Sequence, residues 1–229
     1  MSTGTPRRAV IFDLDGTLVD SEPHYYRAGR EVLARHGVPG FTWEEHTRFI
    51  GVGTRETLEE LRRTHHLAAP VEQLLDEKNA AYLALARRSM PVFPRMADFV
   101  RLLHEAGHPL IVASGSSRTA IEAVLTGTGL ASRLPRWVSA EEVARGKPEP
   151  DVFLEAARRM GADPAACVVV EDAPAGVRAA AAAGMACIAV PYAGGAADDP
   201  AFAAAQLCFP DGQEGFDASA AYAWVRDRA

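Results

Sequence analysis

Asp13 and Asp15 stand two residues apart in Asp13-Leu14-Asp15-Gly16-Thr17, directly after an apolar run at 9–12. Three other stretches place comparable residues after similar runs. Ser114-Gly115-Ser116 follows 110–113, and Glu171-Asp172 follows 168–170. A loop after 137–139 carries Gly146-Lys147-Pro148-Glu149-Pro150-Asp151. Carboxylates repel one another, so gathering Asp13, Asp15, Glu171 and Asp172 is costly unless a cation sits among them. A few hard oxygen ligands suit Mg²⁺, which keeps several waters and accepts phosphate oxygens as ligands. Lys147 adds a compact positive charge of the kind that holds phosphate. If the four stretches converge, the chemistry they can do is that of a Mg²⁺–phosphate site.

Convergence depends on the elements beneath them. An aspartate after a strand is often a turn residue or helix cap, and Glu-Asp before a helix favours the helix dipole. Together, in order and each at the end of a strand, these residues have a different meaning. The runs at 9–12, 110–113, 137–139, 168–170 and 187–190 are apolar on both faces, as in a parallel sheet covered by helices. Helical patterns at 96–106, 119–126, 150–160 and 175–183 alternate with them. Gly107, Gly161 and Gly184 fall where a helix-terminating glycine takes a left-handed conformation. The alternation predicts a doubly wound, Rossmann-like α/β core, in which ligands bind beyond the carboxyl ends of the strands.

Residues 20–91 interrupt the alternation. Helices are expected at 22–36, 54–65 and 71–88, with no strand, and Pro91 and Pro94 stiffen the exit. The expected organisation is a core of 1–19 plus 92–229 with an inserted all-helical cap domain at 20–91. Of the 229 residues 48% are hydrophobic, and the net charge is −6, which argues against nucleic acid or an anionic membrane as partner. No stretch approaches the ~20 continuous apolar residues of a spanning helix. Cys167, Cys187 and Cys208 form no CxxC pair or Cys/His cluster and read as small buried strand residues. A cytoplasmic protein is expected, with a monomer favoured.

The motif Asp13-Leu14-Asp15-Gly16-Thr17-Leu18-Val19-Asp20-Ser21 resembles the first motif of haloacid dehalogenase-type phosphatases. Ser114-Gly115 resembles the second, Gly146-Lys147-Pro148-Glu149-Pro150-Asp151 the third, and Val170-Glu171-Asp172-Ala173-Pro174-Ala175-Gly176-Val177 the fourth. An insertion between motifs one and two is similar to the helical-cap branch that contains sugar phosphatases and β-phosphoglucomutase. The resemblance implies that Asp13 is the nucleophile and Asp15 the general acid–base. It also implies Mg²⁺ held by the Asp13 and Asp172 carboxylates and the Asp15 carbonyl, with Glu171 reaching it through water. Ser114, the backbone N–H groups that follow it from Gly115 on, and Lys147 would hold the phosphoryl oxygens.

The same branch suggests substrate contacts from Ser116, Ser117 and Arg118, and from two cap segments. Gly51-Val52-Gly53-Thr54-Arg55 is similar to the mutase's phosphate-gripping loop, although one residue longer, and Lys78-Asn79 with Tyr82 to its lysine segment. Arg55 and Lys78 could equally be basic residues on helix surfaces. Where the mutase carries a cap histidine, this chain has Tyr25, with His24 one place early. The expected activity is therefore hydrolysis of a small phosphorylated metabolite, a sugar phosphate first. A phosphomutase is the alternative, and a non-catalytic binding protein on the same fold a remote one.

Overall fold

The computed structural model describes residues 7–50, 52–192 and 199–227. Its centre is a six-stranded parallel sheet in the order β3-β2-β1-β4-β5-β6. The strands are β1 (Ala9–Phe12), β2 (Leu110–Ser114), β3 (Trp137–Ser139), β4 (Cys167–Glu171), β5 (Ala186–Ala189) and β6 (Leu207–Cys208). Between β1 and β2 run α1 (Glu22–Arg35), α2 (Trp43–Thr47), α3 (Thr54–Thr64), α4 (Val71–Ala86) and α5 (Pro94–Glu105). After β2 come α6 (Arg118–Gly127), α7 (Asp151–Met160), α8 (Pro174–Ala182), α9 (Gly212–Gly215) and α10 (Ala218–Asp227).

Alternation along β1 explains the two-sided burial. Val10 and Phe12 pack with Phe99, Leu103, Ile121 and Val225 from α5, α6 and α10. Ala9 and Ile11 enter the opposite core with Val152, Phe153, Val177 and Ala180 from α7 and α8. All four β1 residues are buried, so neither face tolerates a polar side chain. Gly107, Gly161 and Gly184 have the expected positive φ.

Between β1 and α5 the described residues form the helices α1–α4 and no strand, and Val32, Leu33, Phe41, Leu58, Leu61 and Leu74 pack there into a cluster of their own. The short α2 escapes the hydrophobic pattern because five residues carry too few periods to show one. A capping box announces it instead, with Thr42 and Glu45 each accepting from the other's backbone N–H. The chain leaves and re-enters the core side by side: Val19 pairs antiparallel with Val92, and Asp20 N–H donates to Pro91 O at 2.9 Å. Among the described residues, no helix is long and apolar enough to cross a membrane.

The far edge of the sheet also departs from the sequence reading. Cys208 is exposed, because β6 is a two-residue edge strand covered on one side only, whereas Cys167 and Cys187 are buried. The strand itself was too short to stand out from its surroundings.

Candidate active site

The carboxyl ends of β1, β2 and β4 and the 146–149 loop meet the helical insertion around a cavity of about 620 Å³. Asp13, Asp15, Ser114, Gly115, Ser116, Ser117, Lys147, Glu171 and Asp172 line its core side. Parallel register brings them together: Phe12 lies between Val112 on β2 and Val170 on β4, so the residues that follow emerge at one edge.

Lys147 is the electrostatic centre. Its Nζ lies 2.5 Å from Asp13 Oδ1 and 2.6 Å from Glu171 Oε1, with both carboxylates buried and the lysine partly so. Burial alone would depress this ammonium, but the Asp13 and Glu171 charges raise it above its ordinary range, so it stays charged. Glu171 folds back on its own backbone, its Oε2 accepting from the N–H groups of Asp172 and Ala173 at 2.8 and 2.7 Å. Gly176 makes room for it, since a Cβ there would lie 1.7 Å from Glu171 Oε1.

Asp172 closes the other side. Thr17 Oγ1 donates to its Oδ1 at 2.9 Å. The turn before Thr17 requires Gly16 twice over: φ is +82°, and a Cβ would stand 2.2 Å from Asp172 Oδ2. Gln213 on α9 holds the same turn, its Nε2 donating to Thr17 O at 3.0 Å and Gly16 O at 3.3 Å.

Burial raises the Asp13 carboxyl, opposed by Lys147, with the Glu171 and Asp15 charges adding to the rise. Burial raises Asp172 as well, with Glu171 and Asp13 adding to it. Burial disfavours the negative charge on both carboxylates, and a divalent cation between them would offset that cost. Among the described residues, no three or more His, Cys, Asp or Glu side chains form a closed chelating cluster. The side-chain donors are the two carboxylates Asp13 and Asp172, and so small a set suits a cation that keeps its waters. The residues present fit Mg²⁺.

Asp15 faces the same cavity but with other partners. Ser116 Oγ donates to its Oδ2 at 2.6 Å, and Ser114 Oγ at 3.3 Å. Tyr82 O–H on α4 donates to Oδ1 at 3.3 Å. Tyr25 on α1 hydrogen-bonds Ser116 Oγ at 2.8 Å and stacks on Tyr82 with ring centroids 4.2 Å apart. Burial and the Asp15 charge raise both phenols, so both keep their protons.

On the far wall two basic residues of the insertion both line the cavity but in different settings. Lys78 is not a surface residue of α4: it is buried beneath Tyr25, with Nζ 5.5 Å from the ring centroid. Burial lowers its ammonium from 10.5 to about 8, partly offset by the Glu22 charge. Glu22 also lines the cavity, and its Oε2 lies 2.8 Å from His46 Nε2. Neither residue was singled out in the sequence. Arg55 is exposed at the rim, paired with Glu72 at 2.9 Å. Gly51, in the same predicted loop, lies outside the described residues.

Arg118 does not reach the cavity. Its guanidinium sits over Trp137 and pairs with Glu142, because α6 starts there and turns the side chain to the outer surface. Ser117 lines the cavity, but its Oγ also caps α6, accepting from Ala120 N–H at 3.3 Å. Ser116, predicted to touch substrate, spends its hydroxyl on Asp15 and Tyr25. Gln213 was beyond sequence reasoning, because 196 residues separate it from the Thr17 carbonyl it holds.

The family model for haloacid dehalogenase-like hydrolases matches residues 7–184. The chain is 35% identical over 176 residues to the fructose-1-phosphate phosphatase of Escherichia coli K12, covering 77% of this chain and 92% of that protein. It is 34% identical over 206 residues to hexitol phosphatase B of the same organism, covering 89% and 92%. It is also 30% identical over 190 residues to the β-phosphoglucomutase of Bacillus subtilis 168, covering 80% and 83%.

Proposed function

The chain belongs to the haloacid dehalogenase-like hydrolases and is a phosphoric monoester hydrolase, and we propose that it hydrolyses a small sugar phosphate, with Asp13 as nucleophile and Mg²⁺ as cofactor. The observation that supports this best is the pairing of Asp13 with Lys147 at the floor of a cavity whose opposite wall carries a buried lysine. One end is suited to a phosphoryl group and the other to a polar, anion-bearing or hydroxyl-rich remainder. The relatives that act on fructose 1-phosphate and hexitol phosphates point the same way.

In this reading residues 20–91 are a cap over a core of 1–19 plus 92–229. The Asp13 and Asp172 carboxylates and the Asp15 carbonyl would hold Mg²⁺, with Glu171 behind them. The cation would neutralise charge on the phosphoryl oxygens. An Asp13 carboxylate oxygen attacks phosphorus, and the ester oxygen leaves with the proton that Asp15 delivers. Asp15, now a carboxylate, takes a proton from water as that water attacks the aspartyl-phosphate. Phosphate departs and Asp13 is regenerated. Lys147 and Ser114 steady the phosphoryl oxygens throughout.

Whether water or a sugar hydroxyl receives the phosphoryl group is decided at the cap. Tyr25, where the mutase resemblance calls for histidine, favours water. The test is a screen of sugar phosphates for released phosphate, with β-glucose 1-phosphate followed separately for isomerisation to glucose 6-phosphate. Isomerisation that outpaces phosphate release would replace the phosphatase by the mutase.

A further inference from the structure

The Gly16–Thr17 turn depends on a residue near the other end of the chain. Gly16 and Thr17 are both buried, so neither carbonyl can turn to solvent for a hydrogen bond. Among the described residues, the donor that reaches them is the Gln213 side-chain amide, whose single nitrogen serves both oxygens. The Gly16 N–H is engaged within the turn, on Val19 O at 2.8 Å. Thr17 gives its hydroxyl to Asp172. A hydrogen-bonded chain therefore runs from α9 through the turn to the carboxylate just beyond β4. We propose that Gln213 is a positioning residue for Asp172: it fixes the Thr17 backbone, and with it the hydroxyl that orients this carboxylate for Mg²⁺. The proposal rests on the reading of Asp172 as a ligand of the cation. Gln213 lies outside the residues 7–184 that carry the family likeness, so its part in the site belongs to this chain and not to the shared motifs.

The side chain at 213 serves as a donor more than as packing. Both of its neighbours at the turn are acceptors, so the amide must present its nitrogen to them. Its Oε1 is then buried without a hydrogen-bond partner among the described residues. Leucine, of similar volume, would avoid that cost but would leave two buried carbonyls unpaired. The need for an outside clamp is greatest at a glycine, which has no side chain to restrict its backbone, and Gly16 sits in the left-handed region. The base on which the amide stands is stiff. Arg95, in the first turn of α5, donates to the carbonyls of Glu214 and Phe216. Phe216 in turn packs edge-on against Phe99 and Phe209, with ring centroids 5.7 and 4.9 Å away.

Gln213→Leu removes the donor and keeps the volume. Binding of Mg²⁺ would be followed by titration calorimetry with magnesium chloride alone, no substrate being present. Loss of a group that orients a metal ligand directly weakens metal binding about 10- to 100-fold, so Thr17→Val should fall in that range. Gln213 acts one step further off, and Gln213→Leu should raise the Kd about three- to tenfold. The double variant should bind within about twofold of Thr17→Val, because the hydroxyl through which the amide acts is already gone. Phe209→Leu loosens the same segment but keeps the amide, so it should lower Tm and leave Mg²⁺ binding within about twofold of the wild type. If Gln213→Leu does not fold, Gln213→Glu takes its place, since an ionised carboxylate has the same shape and no N–H. Asp172→Asn sets the reference and should lose most of the binding. An unchanged Kd in the Gln213 variant, losses that add in the double variant, or equal weakening by Phe209→Leu would overturn the positioning role alone. Undiminished binding in Asp172→Asn would overturn the cation assignment and the proposal with it.

Discussion

Replacing Lys78 by methionine should make the free protein more stable and its use of sugar phosphates worse. The buried ammonium titrates near 8 in the folded protein, against 10.5 for an ordinary lysine. From pH 8 to 10.5 the unfolded chain binds more protons than the folded one, so stability should rise with pH across that window. Below pH 8 both states are charged and the folded protein carries the full penalty. At 1.36 kcal/mol for each pKa unit, the penalty at pH 7 is about 3 kcal/mol. Methionine fills nearly the same volume without the charge, so Lys78→Met should gain about 2–3 kcal/mol at pH 7. For a chain of this size that is a rise in Tm of roughly 4–12 °C. Urea unfolding at pH 7, 8.5 and 10 would read both the gain and its disappearance as the wild type loses its proton. Substrate use should move the other way, with kcat/KM for a responsive sugar phosphate falling tenfold or more, because a desolvated cation is worth most to a ligand that neutralises it. A destabilised Lys78→Met, or a wild-type stability flat from pH 8 to 10, would refute the reasoning.

Asp13→Asn should lower turnover by more than ~10³-fold in a folded protein, since it removes the nucleophile and one proposed cation ligand together; circular dichroism with a phosphate-release assay would check both halves. EDTA should abolish activity and Mg²⁺ restore it, while Ca²⁺ should not, because calcium draws in more ligands at longer distances. Gly176→Ala should cost about 1–3 kcal/mol in a thermal melt, because the new methyl displaces the buried Glu171 carboxylate. It should also depress kcat, since Lys147 shares that carboxylate.

Much of the site was legible along the chain because its parts are local. Asp13, Ser114 and Asp172 each sit directly after or at the end of an apolar run, and a parallel sheet brings such positions to one edge whatever the details of packing. The doubly apolar strands likewise fixed the core as α/β, and the missing alternation at 20–91 fixed the insertion as helical. What the tertiary structure decided is the pairing of side chains across those elements. Lys78 shares one face of α4 with the buried Leu74, Tyr82 and Ala86, a spacing visible in the sequence, whereas Arg55 stands in the first turn of α3; what each cation meets is decided by docking. Packing under Tyr25 buries the first, whereas the second stays at the rim on Glu72. Arg118 follows the serine cluster in sequence, yet the start of α6 rotates it to the outside. Gln213 holds the Gly16–Thr17 turn from the far end of the chain, and Tyr82 bonds Asp15 across 67 residues. Sequence periodicity reports which face of an element is buried. Which partner a buried polar group meets depends on how separate elements dock, and that is set only when the whole chain is folded.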